Sequence, residues 1–329
     1  ILATQGAPES GFGAPGFRGL AYIVFEDLPL KDFGNRIPQL SFEIEKSLKT
    51  TDANALENKL TAVSLIPGSG EFVYGTTGVN RVLDEGVTQS ENIHNTQGVT
   101  DFRASIDALI DAAPNLEHVS LVSAWFGNSL DVASCTIRPG VETTDKETAP
   151  YDWKAGGVTR GGAHLISTHE GGSAYGGTPA DKNIIETIQA LNAKGLKVMF
   201  HPFILMDASG YPWRGRIDAG AADKTAGATS AIASFFGAAS AADFSIANGE
   251  VVYAGPAEWS FRRFILHYAK LCALAGGVDA FLLGSELRGI TTTRDDAGNY
   301  LAVSQMISLA TEVRAILGPS VKLSYAADW

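Results

Sequence analysis

From about residue 100 onward, short apolar runs alternate with longer stretches in which apolar residues recur every three or four positions. Phe102, Ile106, Leu109 and Ile110 share one face of a helix predicted in DFRASIDALIDAAP. Ile184, Ile185, Ile188 and Leu191 do the same in DKNIIETIQALNAKG, which Gly195 closes. SFRRFILHYAKLCALAGG and LAVSQMISLATEVRAILG carry the same period and the same terminal glycine. Between these helices HVSLVSAWFG, LKVMFHPFILMD, VDAFLLGSEL and VKLSYAADW read as buried strands, and AVSLIP, EFVYGT and GAHLIS as weaker strand-like pieces. Buried strands that return through helices make βα units with parallel strands.

Two α/β architectures satisfy that rhythm, an open doubly wound sheet and a (β/α)8 TIM-barrel-like domain. The glycine-rich stretches match neither GxGxxG nor GxxxxGK[ST], so a phosphate loop of an open nucleotide-binding sheet is not indicated. The predicted strand ends instead carry aromatic and ionisable residues: Trp125, His201, Asp207, Glu286, Asp328 and Trp329. Such residues at the C-terminal ends of several strands are what a barrel mouth needs, and the barrel is the expected fold. Five strands precede the end of the chain and three more are expected beyond Trp329, the chain reading as a piece of a longer polypeptide.

The first 50 residues differ in character. Glycine, proline and alanine dominate residues 1–18, LAYIVFEDLPL reads as a strand and LSFEIE as another after a turn; Asp52 starts a short helix in DANALENKL. Residues 1–50 are therefore taken as a β-rich segment of one domain and 51–329 as the barrel. The net charge of −11 argues against a broad nucleic-acid or anionic-membrane surface. No run approaches about 18 uninterrupted apolar residues, so no spanning helix is expected. TSAIASFFGAASAADF, small and nearly uncharged, resembles a membrane-inserting segment in composition, but Asp243 and the flanking Asp223 and Lys224 favour a helix on the barrel wall. Cys272 falls in a helical apolar pattern as a core residue, and Cys135 is expected to be partly exposed.

Glu286, at the end of FLLGSEL, is the candidate catalytic residue. A carboxyl carried to a barrel mouth and partly desolvated suits a general acid, and Arg288, two positions on, would oppose that if it pairs. The bland alternative is a salt bridge or helix cap. His201 and Asp207 are candidate substrate contacts or core hydrogen-bonding groups. Trp125, Trp213 and Trp329 are candidates for stacking on sugar faces or for packing. Arg214, with Arg216 in PWRGR, would hold an anionic group or line a solvated loop. Arg288 and Asp328 complete the candidate substrate-binding set. His164, His169 and Glu170 lie close in sequence, but no HExxH accompanies them and no metal is expected. GxSxG is absent.

Two groups of residues carry a resemblance. LAYIVFEDLPLKDFGNRIPQLSFEI resembles the strand-turn-strand signature of large phage tail-tip proteins, in the branch that includes the host-specificity, or baseplate, protein of gene transfer agents. SAWFGNSLDVASCTIRPGVE, AYGGTPADKNIIETIQALNAKGLKVMFHPFILMD, PWRGRI, GPAEWSFRRFILHYA, GSELRGIT and SYAADW resemble the glycoside-hydrolase-like TIM-barrel domain within that same protein. The resemblance implies a structural component of the tail tip of a phage-like particle, made in the bacterial cytoplasm and acting in host attachment and DNA delivery. Its implied partners are other tail proteins, copies of itself around the tail axis, and cell-surface or cell-wall glycan, with no sequence-specific nucleic-acid binding and no cofactor. Residues 1–50 would belong to a hub-like domain. The wider barrel superfamily places its acid/base glutamate at the end of strand four, which is where GSEL puts Glu286. A retaining enzyme would need a second carboxylate about 5–5.5 Å away, commonly from strand seven. The barrel is thus expected to bind glycan, to cut it, or to serve as a rigid spacer.

Overall fold

The computed structural model describes residues 2–5, 21–24, 31 and 50–327 apart from 69. The chain divides into two compact units, 1–46 and 47–329. In the first, Leu2–Gln5 pairs antiparallel with Ala21–Val24. The expected LSFEIE strand lies outside the described residues.

The second unit is built on five parallel strands: β1 (Ala62–Leu65), β2 (His118–Gly127), β3 (Lys197–Met206), β4 (Ala280–Ser285) and β5 (Lys322–Ala326). They lie side by side in chain order, each parallel to the next. A doubly wound sheet reverses its strand order at a switch point; this one does not, and its order is that of a (β/α)8 barrel. Among the described residues β1 and β5 are its two edges. The connections run through α1 (Asp101–Ala112), α2 (Asp181–Ala193), α3 (Ala226–Phe236), α4 (Phe261–Leu274) and α5 (Leu301–Leu317). Ser260 caps α4 by accepting from Arg263 N at 3.2 Å, and Gly195 and Gly318, both at positive φ, let the chain turn back after α2 and α5.

Alternation along β3 assigns the two faces of the sheet. Val198, Phe200, Ile204 and Met206 are buried, while Met199, His201, Phe203 and Leu205 are only partly covered. The buried face meets the helices: the Phe200 ring lies 4.9 Å from Tyr268 of α4 and 5.9 Å from Phe281 of β4. The register pairs Phe200 with Leu121 and His201 with Val122, so odd positions of β2 join the helix-facing core and even positions join His201 on the opposite face. Pro202 is tolerated in this central strand because the ladder to β4 covers only Met199 and Phe200.

Several expectations need correction. EFVYGT forms a buried turn rather than a strand, with Phe72 and Tyr74 in the interior. GAHLIS contributes only His164–Leu165, paired with Gly140–Val141. The segment read as a wall helix ends at Phe236, and its tail enters a hairpin of Phe244–Ala247 with Glu250–Tyr253. Cys135 is buried, and burial pushes its thiol up to about 11. No helix among the described residues is long and apolar enough to cross a membrane.

Candidate functional site

At the C-terminal end of β4 the backbone changes hand. Glu286 has φ +53, a conformation that is costly for a residue with a Cβ. Two bonds from β5 hold it there: Glu286 N donates to Ala326 O at 2.9 Å, and Leu287 N donates to Tyr325 Oη at 2.7 Å. The turn then enters the short helix Arg288–Thr291. Gly289 packs against the backbone of Ile217, and a Cβ there would sit 2.1 Å from the Ile217 carbonyl oxygen. The β4 turn is thereby locked onto the 214–216 turn that follows β3.

That contact brings PWRGR to Glu286. Arg214 Nη2 lies 2.5 Å from Glu286 Oε2, and Trp213 Nε1 donates to the same oxygen at 2.7 Å. Oε1 accepts from no described residue. Since both donors need Oε2 as acceptor, a proton on this carboxyl would sit on Oε1. Arg214 is buried and fixed from three sides: its guanidinium lies 3.7 Å over the Phe203 ring, and its Nε reaches Ser285 O and Oγ at 3.3 and 3.2 Å. Burial pulls this guanidinium below its ordinary value, while Glu286 pulls the other way. Trp213 folds its indole over Gly215, where a Cβ would meet the ring at 2.4 Å, and stays 43% exposed. His201 sits on the same face. Burial and then Arg214 push its imidazole down to about 4 against the opposing field of Glu286, and its Nε2 has no hydrogen-bond partner among the described residues.

Asp207, one residue past β3, forms a second cluster. Its Oδ2 lies 2.6 Å from His164 Nε2 and accepts from Ser167 N at 2.9 Å, and its Oδ1 accepts from Ser167 Oγ at 2.5 Å. Burial alone would raise this carboxyl. The bonds from Ser167 and His164 outweigh it, so Asp207 titrates below the usual carboxylate range. Tyr211, 38% exposed, sits above: its hydroxyl is 3.2 Å from Ser167 Oγ, and its ring meets Tyr175 and His169 edge-on.

The candidate residues are therefore sorted by the fold. Glu286, Trp213, Arg214 and His201 come together, and Asp207 has its own neighbours. Trp125 does not belong to the mouth. It is fully buried among Trp259, Phe264, His267 and Tyr268 on the helix-facing side, so it has no face to offer a ligand. Arg288 is exposed and makes no ion pair with Glu286; Arg214 takes that role. Asp328 and Trp329 lie outside the described residues. No group of three potential metal ligands occurs among the described residues. Tyr211, Tyr175 and Ser167 join the Asp207 cluster, and the turn-flanked tyrosine in GYPWRGR is the mark that the sequence carries of it.

Residues 259–329 match the GTA TIM-barrel-like domain. The matched segment runs from α4 through the Glu286 turn to β5, and its family description agrees with the strand order. No curated protein matches the chain. Among solved structures, a GH113 β-1,4-mannanase is similar with 17% identity and a TM-score of 0.36, covering 68% of this chain and 48% of that one. The GH113 β-mannanase of Alicyclobacillus acidocaldarius gives 16%, 0.36, 71% and 50% respectively. The chain spans half or less of the length of these proteins.

Proposed function

We propose that the TIM-barrel-like domain takes cell-envelope glycan at the C-terminal mouth of its sheet, as part of the tail tip of a phage-like particle. The observation that carries the glycan reading is the exposed Trp213 indole fixed beside Glu286. A flat ring next to a carboxylate and a buried guanidinium offers a sugar both a stacking face and directional hydrogen bonds. The match to the GTA TIM-barrel-like domain supports the particle context, with other tail proteins and further copies of the chain as partners. Binding of the full chain to purified host capsule and peptidoglycan tests the reading. Trp213→Ala should weaken binding about tenfold, corresponding to ~1.4 kcal/mol of lost stacking. Equal affinity in parent and variant would move the glycan elsewhere.

A second reading, hydrolysis, is favoured by Oε1 of Glu286, which accepts from no donor among the described residues. In that case Glu286 is the acid/base, and Glu286→Gln lowers reducing-end release by roughly 10²- to 10⁴-fold. Release that survives the substitution removes Glu286 from the chemistry.

A further inference from the structure

Away from the mouth, a cleft of about 690 Å³ lies on the flank of the second unit, within the roughly 300–1,000 Å³ of ordinary ligand sites. Its walls are α2, α4 and two hairpins, Lys154–Ala155 with Val158–Thr159 and Phe244–Ala247 with Glu250–Tyr253. Lys154 and Glu250 join the hairpins at 3.1 Å. The cleft shares no lining residue with the Glu286 site.

The charges around this cleft are unevenly satisfied. Every carboxylate that lines it is engaged. Asp152 accepts from Thr148 N at 3.1 Å, and Asp181 accepts from Gly156 N at 3.1 Å and lies 3.0 Å from His267 Nε2. Glu186 accepts from the backbone of Thr76 and Thr77, and Glu250 holds Lys154. Two cations in the lining make no ion pair among the described residues. Lys182 Nζ rests 4.0 Å over the Tyr151 ring and pairs with no carboxylate among the described residues. Arg263 is 8% exposed and lies between the rings of Trp259, at 3.6 Å, and Tyr253, at 4.3 Å. Among the described residues it donates to the carbonyls of Glu258 and Gly156, and its buried Nε has no partner. Arg138 stacks on the same Trp259 at 5.0 Å and likewise meets a carbonyl rather than a carboxylate. A buried guanidinium that no carboxylate touches is costly, and the field of the nearby Glu258, with ring faces and carbonyls, returns only part of that cost.

We propose that this cleft binds a carboxylate-bearing saccharide, its acid group drawn to Lys182 and Arg263. Gln189 and Asn248, exposed at the rim, supply amides for hydroxyl groups, and Val158 and Ile185 supply an apolar wall for the C–H face of a ring. The anionic character follows from the unmatched cations. The choice of a saccharide rests on the glycan reading of the mouth.

The test is calorimetric titration of the full chain with α-1,4-linked trigalacturonate and with its carboxyl-reduced, neutral counterpart. The acidic trisaccharide should bind at least about tenfold more tightly, as expected for one charge-assisted contact. Lys182→Glu, a change at an exposed position, should remove that preference, and Lys182→Arg should keep it. Trp213→Ala should leave it in place. Equal affinity for the two trisaccharides, no binding of either, or loss in Trp213→Ala with retention in Lys182→Glu would each overturn the proposal. If capsule binding still depends on Trp213 in those cases, the mouth reading stands and only the cleft fails. If trigalacturonate binds through Lys182 while Trp213→Ala leaves capsule binding unchanged, the mouth reading fails instead.

Discussion

At the scale of single residues, the mouth turns on which arginine meets Glu286. The spacing in GSELRG suggests Arg288, two positions away. The left-handed turn at Glu286 sends the chain into a short helix and leaves Arg288 in solvent, while Arg214 arrives from the β3 side. A partner 72 positions distant in sequence leaves no local signal. Glu286→Gln keeps an acceptor for Trp213 but strips the buried Arg214 of its counter-charge. We expect a loss of about 1–3 kcal/mol in urea unfolding, the usual cost of leaving a buried polar group poorly matched; a gain would mean that the pair is strained in the native state. His201 gives a pH signature. Its imidazole is held down to about 4 by burial and Arg214, against an ordinary value of 6.5. Between those values the unfolded chain binds more protons at this site than the folded one, so stability rises with pH across that window. His201→Phe should flatten that part of the profile, read as the parent-minus-variant difference in Tm between pH 4 and 7. A difference that stays constant with pH would contradict a depressed imidazole. The tryptophans were equally ambiguous from sequence: Trp125 lies within β2 and is buried with its odd-numbered neighbours, whereas Trp213 follows proline in a turn and stays exposed.

At the scale of elements, the strands were legible as near-continuous apolar runs, and the helices because an apolar period of 3.6 persists for ten residues or more. The short hairpins were not. Asn80–Asp84, Val87–Ser90 and Glu147–Ala149 form a small antiparallel sheet from segments of three to five residues with few apolar positions. A small apolar cluster of Phe72, Val79, Val141, Trp153, Ala155 and Ala180 holds these insertions to the domain, and a buried ionic network beside it adds to that hold. Glu71, fully buried in the turn that was expected to be a strand, accepts from Arg160 Nη1 at 2.7 Å and from Glu142 N at 3.1 Å. Lys146 lies 3.3 Å from its other oxygen and 2.9 Å from Glu91. One carboxylate thus ties the 71–74 turn, the 142–146 loop and the 160–162 turn together. Glu71→Leu removes the anion, strips buried Arg160 of its carboxylate and leaves Lys146 with Glu91 and Glu142. The expected cost is about 3–5 kcal/mol, measurable as a shift of the urea midpoint with unchanged slope. A loss below 1 kcal/mol would show that water reaches the network and screens it.

At the scale of the whole molecule, parallel strands in chain order form, among the described residues, a sheet whose middle is far better secured than its two outer strands. β2 and β3 pair over ten consecutive residues, and the helix-facing side chains of both are buried under α2 and α4. β1 offers four residues, none of them buried, and β5 five, also none buried. Local opening free energy follows buried contacts and paired backbone, so amide exchange should rank these strands by position in the sheet. Amides of Val198, Phe200 and Leu121 should exchange only through global unfolding, those of Val63 and Leu323 through local opening, and those of β4 in between. The order bears on the mouth, because Glu286 N is held by Ala326 O and Leu287 N by Tyr325 Oη, both bonds to β5. If β5 opens locally, the turn that presents Glu286 opens with it. Exchange at Glu286 and Leu287 should therefore track Leu323 rather than Leu282. Glycan binding at the mouth should slow all three together. Protection of Glu286 without protection of Leu323 would separate the site from the strand that supports it.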